Sequence, residues 1–160
     1  MEGISFKISG TFKGSFKKMA KEMPRVEARA LYRAAYYLRS AIRTSLVTKI
    51  PKATVSNPRY NDTLVDAVGF TRVDGASLTV NALGAGRPGS GAYRTRFFEN
   101  GTKERFHKTR NGKPLKKKKS VGKITGVHFF SDAVEANRDA VINIMQEAFS
   151  DYIQETLIKD

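Results

Sequence analysis

The sequence predicts an α+β fold, in which a mainly antiparallel β-sheet is packed by a helix from the N-terminal half and by a long C-terminal helix, with a long basic loop before the last helix. Its periodicity switches between strand-like and helix-like spacing in the order β, α, β, β, β, α. Its 160 residues, of which 40% are hydrophobic, suffice for one core but not for two. We therefore expect a single domain over residues 1–160.

The N-terminal segment contains two short candidate elements. Residues 4–8 alternate apolar and polar side chains, which indicates a strand, and residues 12–19 place apolar side chains at helical intervals. Residues 1–22 are interpreted as either an N-terminal docking arm or additional core.

The first long helix is predicted to begin near Pro24, because proline in the first turn of a helix loses no needed donor. The helix should run for about twenty residues with a buried face of small side chains and a basic outer face. Its apolar stripe consists of Val26, Ala30, Ala34, Leu38, Ala41, Ile42 and Leu46.

Strands are predicted in the middle of the chain. Residues 64–73 and 76–83 have β-type composition and are joined by an Asp-Gly turn, which favours a hairpin. Residues 84–91 hold four glycines and a proline and are predicted to form a loop, after which Tyr93–Phe98 is predicted to form a further strand.

A long basic loop is predicted over residues 102–127, because this polar, lysine-rich composition cannot order itself by burial and should stay flexible until a partner binds. The last helix should start at Ser131, a favourable N-cap, with Asp132 and Glu135 close to its positive end. An apolar face then continues nearly to the C-terminus.

Charge is distributed unevenly along the chain, whose net charge is +14. Residues 1–60 carry +10 and residues 101–128 carry +9, whereas residues 61–100 are neutral and residues 129–160 carry −5. Such an excess attracts phosphate, acidic protein surfaces or anionic lipid. The acidic end of one copy can also dock on a basic part of the next, or the two ends of one monomer can face each other or water.

The composition argues against an enzyme. Cysteine is absent, which excludes disulfides and thiolate chemistry. The two histidines, His107 and His128, have no carboxylate at ligand spacing, Ser90 lacks a nucleophile-elbow pattern, and Glu104 is an ordinary surface group between two cations. We expect no catalytic residue, no cofactor and no metal. Lysines interrupt every candidate signal peptide and no apolar run is long enough for a membrane helix, so we expect a soluble protein made in a cytoplasm with no membrane contact.

Gly84-Ala85-Gly86-Arg87-Pro88-Gly89 has the letters of a dinucleotide-binding fingerprint. That fingerprint needs a helix N-terminus to receive the pyrophosphate, whereas the sequence here predicts another strand. We therefore expect a hairpin loop and no nucleotide site.

The basic stretch is the candidate contact surface for a partner or for the DNA backbone. Ten cations that neutralised several phosphates would give salt-dependent, sequence-independent binding. The alternatives are a solvated loop and a loop that folds against an acidic partner protein. The ten residues are Lys103, Arg105, Lys108, Arg110, Lys113, Lys116, Lys117, Lys118, Lys119 and Lys123.

The early helix near Pro24, the hairpin over residues 64–83 and, above all, two short segments carry a resemblance to a known family. The sequence Tyr93-Arg94-Thr95-Arg96-Phe97-Phe98-Glu99-Asn100-Gly101-Thr102, followed later by Phe129-Phe130-Ser131-Asp132-Ala133, resembles the tail completion, or head-tail joining, family of long-tailed bacteriophages. In that family a strand ends in a Phe-Glu-x-Gly-Thr turn, and an aromatic-led helix follows a loop of variable length. The likeness spans about residues 24–157, although the basic loop here is longer than the family pattern.

The resemblance implies a structural protein of the virion neck, which is assembled in the host cytoplasm. It implies a homo-oligomeric ring, a hexamer, that joins the tail tube to the head connector or stopper around the DNA path. It also implies a structural turn at Phe98, Glu99, Gly101 and Thr102, in which Gly101 takes a positive φ and Thr102 or Asn100 makes local hydrogen bonds. The alternative is a free protein that binds nucleic acid without sequence preference through the basic loop.

Overall fold

The computed structural model describes residues 15–59, 61–74, 77–81, 90–110 and 113–157. Within these residues the strands form two separate antiparallel hairpins rather than one sheet. The α+β class, the antiparallel pairing and the two long helices are confirmed. The helices are α1 (Ser15–Lys49), α2 (Gly91–Asn100), α3 (Phe129–Ala136) and α4 (Arg138–Leu157), and the strands are β1 (Gly69–Asp74) paired with β2 (Ser77–Asn81) and β3 (Arg105–Arg110) paired with β4 (Lys113–Gly122).

Helix α1 begins earlier than the sequence predicts. It starts at Ser15, so Pro24 lies inside the helix and not in its first turn. Since proline has no N–H, the helix continues through this position with one backbone hydrogen bond fewer. The predicted stripe is confirmed at its buried positions, which include Ala30, Ile42 and Leu46 at 0% exposure. The predicted strand at residues 4–8 and the start of the predicted 12–19 helix lie outside the described residues.

The chain divides into two compact units, and the first takes residues 1–41, 69–81 and 134–160. In its core, Ala34 of α1 packs with Val141 and Met145 of α4, flanked by partly buried aliphatic side chains. The aromatic ring of Phe70 on β1 contacts Tyr32 and Tyr36 of α1 edge-on, with ring centroids 6.0 and 5.0 Å apart. Helix α1 therefore packs on α4 through the predicted stripe and on the first hairpin through two tyrosines outside that stripe.

The second unit comprises residues 42–68 and 82–133. Leu64 donates its backbone N–H to the carbonyl of Ala53 at 3.0 Å, and Arg43 of α1 donates to the carbonyl of Val68 at 3.0 Å. Several of its described apolar side chains are fully buried. They include Ile42, Leu46, Ala53, Val68 and Phe129.

The predicted C-terminal helix is two helices, because the chain turns at Asn137 between α3 and α4. The Tyr37 hydroxyl donates to the Asn137 side-chain oxygen at 2.9 Å and holds this turn against α1. Ser131 is not the N-cap, since α3 already begins at Phe129. The apolar face was predicted correctly at Val141, Met145 and Ala148, which are buried.

The segment Tyr93–Phe98 is helical, and the predicted strand is wrong. Its aromatic content favours a strand by composition, but Tyr93 and Phe97 are one helical turn apart and stack edge-on at 4.9 Å. The Arg96 guanidinium lies over both rings, at 4.1 and 5.2 Å from their centroids. These local contacts, together with burial of Thr95 and Glu99 four residues apart on one face, stabilise the helix.

Thr63 and Asp66 bind each other reciprocally at the start of a short 3-10 helix, Val65–Ala67. The Thr63 amide and hydroxyl donate to the Asp66 carboxylate at 2.9 and 2.7 Å, and the Asp66 amide donates back to the Thr63 hydroxyl at 3.1 Å. The hydrogen bonds from Thr63, with a smaller contribution from Arg43, lower the pKa of Asp66 below its ordinary value of 3.8.

A depressed pKa stabilises the fold at neutral pH, and this contribution is lost as the pH falls below 3.8. We expect Asp66→Asn to lower the melting temperature by about 2 °C near pH 7, because the carboxylate is exposed and screened. The difference from the unsubstituted protein should shrink at an acidic pH value below 3.8, where the carboxylate becomes protonated. Thermal unfolding followed by circular dichroism at both pH values measures it, and a difference independent of pH would contradict the assignment.

Candidate interaction surface: a basic hairpin and the turn that anchors it

The predicted basic loop is largely an ordered hairpin, formed by β3 and β4. Arg110 pairs with Lys113, so residues 111–112, which are Asn-Gly, form a two-residue connection that itself lies outside the described residues. Asn-Gly is the strongest short sequence signal for a tight hairpin. The prediction of a loop from composition overlooked this signal, because strand pairing satisfies backbone groups even where no apolar face is buried. The predicted flexibility of this segment stays a prediction.

The pairing of the second hairpin is irregular. His107 lies opposite Lys119, and Thr109 lies opposite Pro114. Six residues of β4, 114–119, therefore lie opposite three residues of β3, 107–109. A second shift between Arg105 and Phe106 sets Phe106 opposite Ser120. Bulges of this kind disrupt the ladder and increase its twist. The run of four lysines thus falls within or beside the bulged part of β4.

All ten predicted contact residues lie on this hairpin or within three residues of it. The structure describes five of their side chains, and all five are exposed: Lys103, Arg105, Lys117, Lys119 and Lys123. The other five lie on the strands, Lys108 and Arg110 on β3 and Lys113, Lys116 and Lys118 on β4. Pairing two strands therefore brings together cations that are up to 20 positions apart in the sequence.

Few acidic side chains are present to neutralise the cations of the hairpin. Glu104 is the single acidic residue in residues 101–128, and its carboxylate accepts a hydrogen bond from the Ser120 hydroxyl at 2.7 Å. Among the described side chains, none of the five exposed cations forms an ion pair. The exposed side chains of Phe106 and Val121 add two apolar positions. The described surface is a cationic ribbon whose charges are available to a partner.

Glu99 anchors the base of this hairpin. Its side chain is 5% exposed, and its carboxylate accepts three hydrogen bonds: from the Phe130 amide at 2.8 Å, the Ser131 amide at 3.0 Å and the Ser131 hydroxyl at 2.7 Å. These donors belong to the first turn of α3, where backbone amides have no helical acceptor and a negative charge is favoured. Glu99 therefore caps α3 from α2.

Backbone hydrogen bonds next to Glu99 join residues 98–102 to residues 124–127. The Val127 amide donates to the Phe98 carbonyl at 2.7 Å, and the Thr102 amide donates to the Ile124 carbonyl at 2.8 Å. The Ile124 amide in turn donates to the Thr102 hydroxyl at 3.0 Å. These hydrogen bonds of Thr102 are not local, because Ile124 lies 22 residues further on. The alternative, local hydrogen bonds made by Asn100, stays a prediction.

Two glycines, Gly101 and Gly126, allow these two backbone segments to lie close together. Gly101 has φ 75°, as predicted, and ψ −178°, a combination that only glycine adopts easily. A Cβ atom on Gly101 would lie 2.8 Å from the Gly126 nitrogen and 2.9 Å from the Ile124 carbonyl oxygen. A Cβ atom on Gly126 would lie 2.8 Å from the Glu99 carbonyl oxygen. We call residues 98–102 and 124–131 together the anchor turn.

Lys49, the last residue of α1, also binds the anchor turn. Its ammonium group donates to the Val127 carbonyl at 2.8 Å, lies 3.4 Å from the His128 carbonyl and pairs with the Asp132 carboxylate. His128 has a positive φ of 48°, which directs the chain into α3. Sequence reasoning missed Lys49 because its partners lie 78 or more residues away, and it missed Gly126 because no motif surrounds that glycine.

The sequence argument against a dinucleotide site relied on a strand after the glycines, and that prediction is wrong. A helix, α2, does follow the glycines, whereas the sequence predicted a strand. However, the first amides of α2 are already satisfied, since Gly91 donates to Asp62 at 2.6 Å and Tyr93 donates to Ser90 at 3.4 Å. Asp62 also pairs with Arg94 at 2.8 Å. A carboxylate thus takes the place where a phosphate would bind; residues 82–89 lie outside the described residues.

The parts of the chain that the structure describes show neither a metal-binding cluster nor a membrane-spanning helix. They contain no group of three or more His, Asp or Glu side chains placed to hold a metal ion. The helices described here include none that is both long and apolar enough to cross a membrane. Comparison with protein-family models, with curated proteins and with solved structures finds no match to this chain.

Proposed function

We propose that this chain is a structural protein of a bacteriophage neck, which forms a ring that completes the tail and joins it to the head connector around the DNA path. It acts through contacts with copies of itself, with the connector or stopper and with tail-tube proteins, and it needs neither catalysis nor a cofactor. In the virion it lies at the head-tail junction, after assembly in the host cytoplasm.

One observation carries the proposal. The two segments that resemble the tail completion family, around Glu99 and around Phe130, are separated by 31 residues of sequence and yet meet in the anchor turn. The Glu99 carboxylate accepts hydrogen bonds from Phe130 and Ser131. A likeness confined to chance letters would not require the two matching segments to bind each other. Their contact supports reading them as one structural motif.

The surface of the chain supports an assembly role as well. Cationic side chains of the hairpin are exposed, and α4 carries exposed acidic side chains at Glu147, Asp151 and Glu155, one turn apart. Opposite charges on separate parts of one chain favour heterologous contacts between neighbours, which close into a ring when the rotation allows.

The ring predicts a measurable mass. The purified chain should give a species near six times 17.8 kDa by size exclusion with light scattering, either alone or as the ring component of a heavier complex with connector and tail-tube proteins. Disrupting its gene in the encoding phage should leave filled heads and separate tails, visible by electron microscopy. A strict monomer in every mixture, together with normal virions from the disrupted phage, would contradict the proposal.

The alternative function is that of a free nucleic-acid-binding protein, and the exposed hairpin is the observation that favours it. A protein of this kind would bind naked duplex tightly at physiological salt as a monomer. Virions lacking it would be intact, so the gene disruption separates the two functions.

A further inference from the structure

We propose that the β3–β4 hairpin binds the phosphate backbone of duplex DNA without preference for base sequence. The ligand class is a regular polyanion, and the binding residues are the exposed cations of the ribbon, with Lys117 and Lys119 at its centre. This binding does not depend on the placement of the protein in a virion neck.

Charge balance favours a polyanion over a second copy of the chain. Residues 101–128 carry +9, whereas the acidic end, residues 129–160, carries only −5. Two of its acidic residues are already paired, Asp132 with Lys49 and Asp151 with Arg33. The acidic end of a neighbour therefore cannot neutralise the hairpin, and most of its charge is left for another partner.

The shape of the hairpin suits a duplex. A two-stranded ribbon fits the major groove of B-DNA, and the six residues of β3 extend for about 20 Å. Duplex DNA presents one charge per about 1.7 Å of axis, so a ribbon of this length passes several phosphates. Because both strands carry cations, the ribbon can contact several phosphates at the same time.

The residue types of the hairpin predict that it binds duplex DNA without preference for base sequence and that it does not prefer single strands. Eight of the ten cations are lysines, which act as point charges toward phosphate, and two are arginines. The described part of the hairpin offers no Asn or Gln for bidentate contact with adenine. Single-strand binders stack successive bases on several aromatic rings. Among the residues of β3 and β4, Phe106 is the one Phe, Tyr or Trp, and the imidazole of His107 beside it is the one further ring.

The test compares two variants of equal charge. Lys117→Gln/Lys119→Gln removes two exposed cations from the hairpin, and Arg25→Gln/Arg29→Gln removes two exposed cations from α1. Neither Arg25 nor Arg29 forms an ion pair with a described residue, so both variants should keep the fold, which circular dichroism checks. Binding to fluorescent duplexes of unrelated sequence is measured by anisotropy from about 50 to 200 mM salt.

The hairpin variant should bind roughly 10- to 30-fold more weakly, with a salt slope lower by about two, on every duplex. The α1 variant should differ from the unsubstituted protein by less than about twofold. Equal losses in both variants would assign binding to net charge alone and would overturn the proposal. Tighter binding to single strands, or to polyglutamate than to duplex at equal charge, would overturn it as well. Hairpin variants that lose self-association but bind DNA normally would assign the surface to a second copy.

Discussion

Replacing Glu99 with alanine is expected to lower the free energy of unfolding by about 3 kcal/mol, which corresponds to a fall in melting temperature of about 6–12 °C. The substitution leaves the partly buried amides of Phe130 and Ser131 without their acceptor. Hydrogen bonds to a charged group are stronger than neutral ones, and buried donors without partners add a desolvation penalty. Denaturant titration followed by circular dichroism measures the change.

Glu104→Ala is the matched control, because it removes the same charge five residues away. Glu104 is exposed and accepts a hydrogen bond from Ser120, so its loss should cost less than about 0.5 kcal/mol. Glu99→Gln should fall between the two, since an amide oxygen can replace one acceptor without the negative charge. Equal effects of the two alanine substitutions would show that Glu99 does not cap α3.

Gly101→Ala is expected to be at least as damaging, at about 3–5 kcal/mol. Two causes act together. The backbone at φ 75° and ψ −178° is strained for any residue with a Cβ atom, and that atom would lie within 3 Å of the backbone of both Gly126 and Ile124. Neither neighbour is a flexible side chain that can move aside. Thermal unfolding should report the loss, and a variant as stable as the original would exclude this geometry.

Two other glycines separate these causes. Gly122 also has a positive φ, 81°, but a Cβ atom there would meet nothing within 4 Å apart from its chain neighbours, so Gly122→Ala should cost about 1–2 kcal/mol from strain alone. Gly126→Ala meets the Glu99 carbonyl oxygen at 2.8 Å without a positive φ, so its cost should come from close contact alone. An order in which Gly122 exceeds Gly101 would contradict the account.

The elements that the sequence predicts well are those whose pattern matches their burial. The stripe on α1 is periodic because one face of the helix is buried, and Ala34 and Ile42 lie where the spacing requires. The first hairpin was predicted from the Asp-Gly pair, and its strands pair from Gly69 to Asn81. The prediction of one domain over residues 1–160 stays a prediction.

The wrong elements have a common physical origin. In α2 the buried positions include Thr95 and Glu99, which are polar, so no apolar period marks the helix. In the second hairpin the strands are cationic, so no alternation marks them. Local signals were nevertheless present: Ser90 and Gly101 bracket α2 as N-cap and C-terminal glycine, and Asn-Gly lies between β3 and β4.

The anchor turn could be predicted only in part. The positive φ of Gly101 follows from its place after Asn100, but the partners of Glu99 and Lys49 are set by tertiary contacts that span at least 31 and 78 residues, respectively. Hydrogen bonds over such separations leave no period in a single sequence. The resemblance named Glu99 and Phe130 as parts of a pattern without saying that they touch.

The order of synthesis gives the anchor turn a further consequence. Lys49 and Glu99 leave the ribosome before residues 127–132 do, so the carboxylate remains hydrated while the hairpin, whose contacts are local, can already pair. A nascent chain therefore exposes its most cationic ribbon before the segment that fixes the base of that ribbon has emerged.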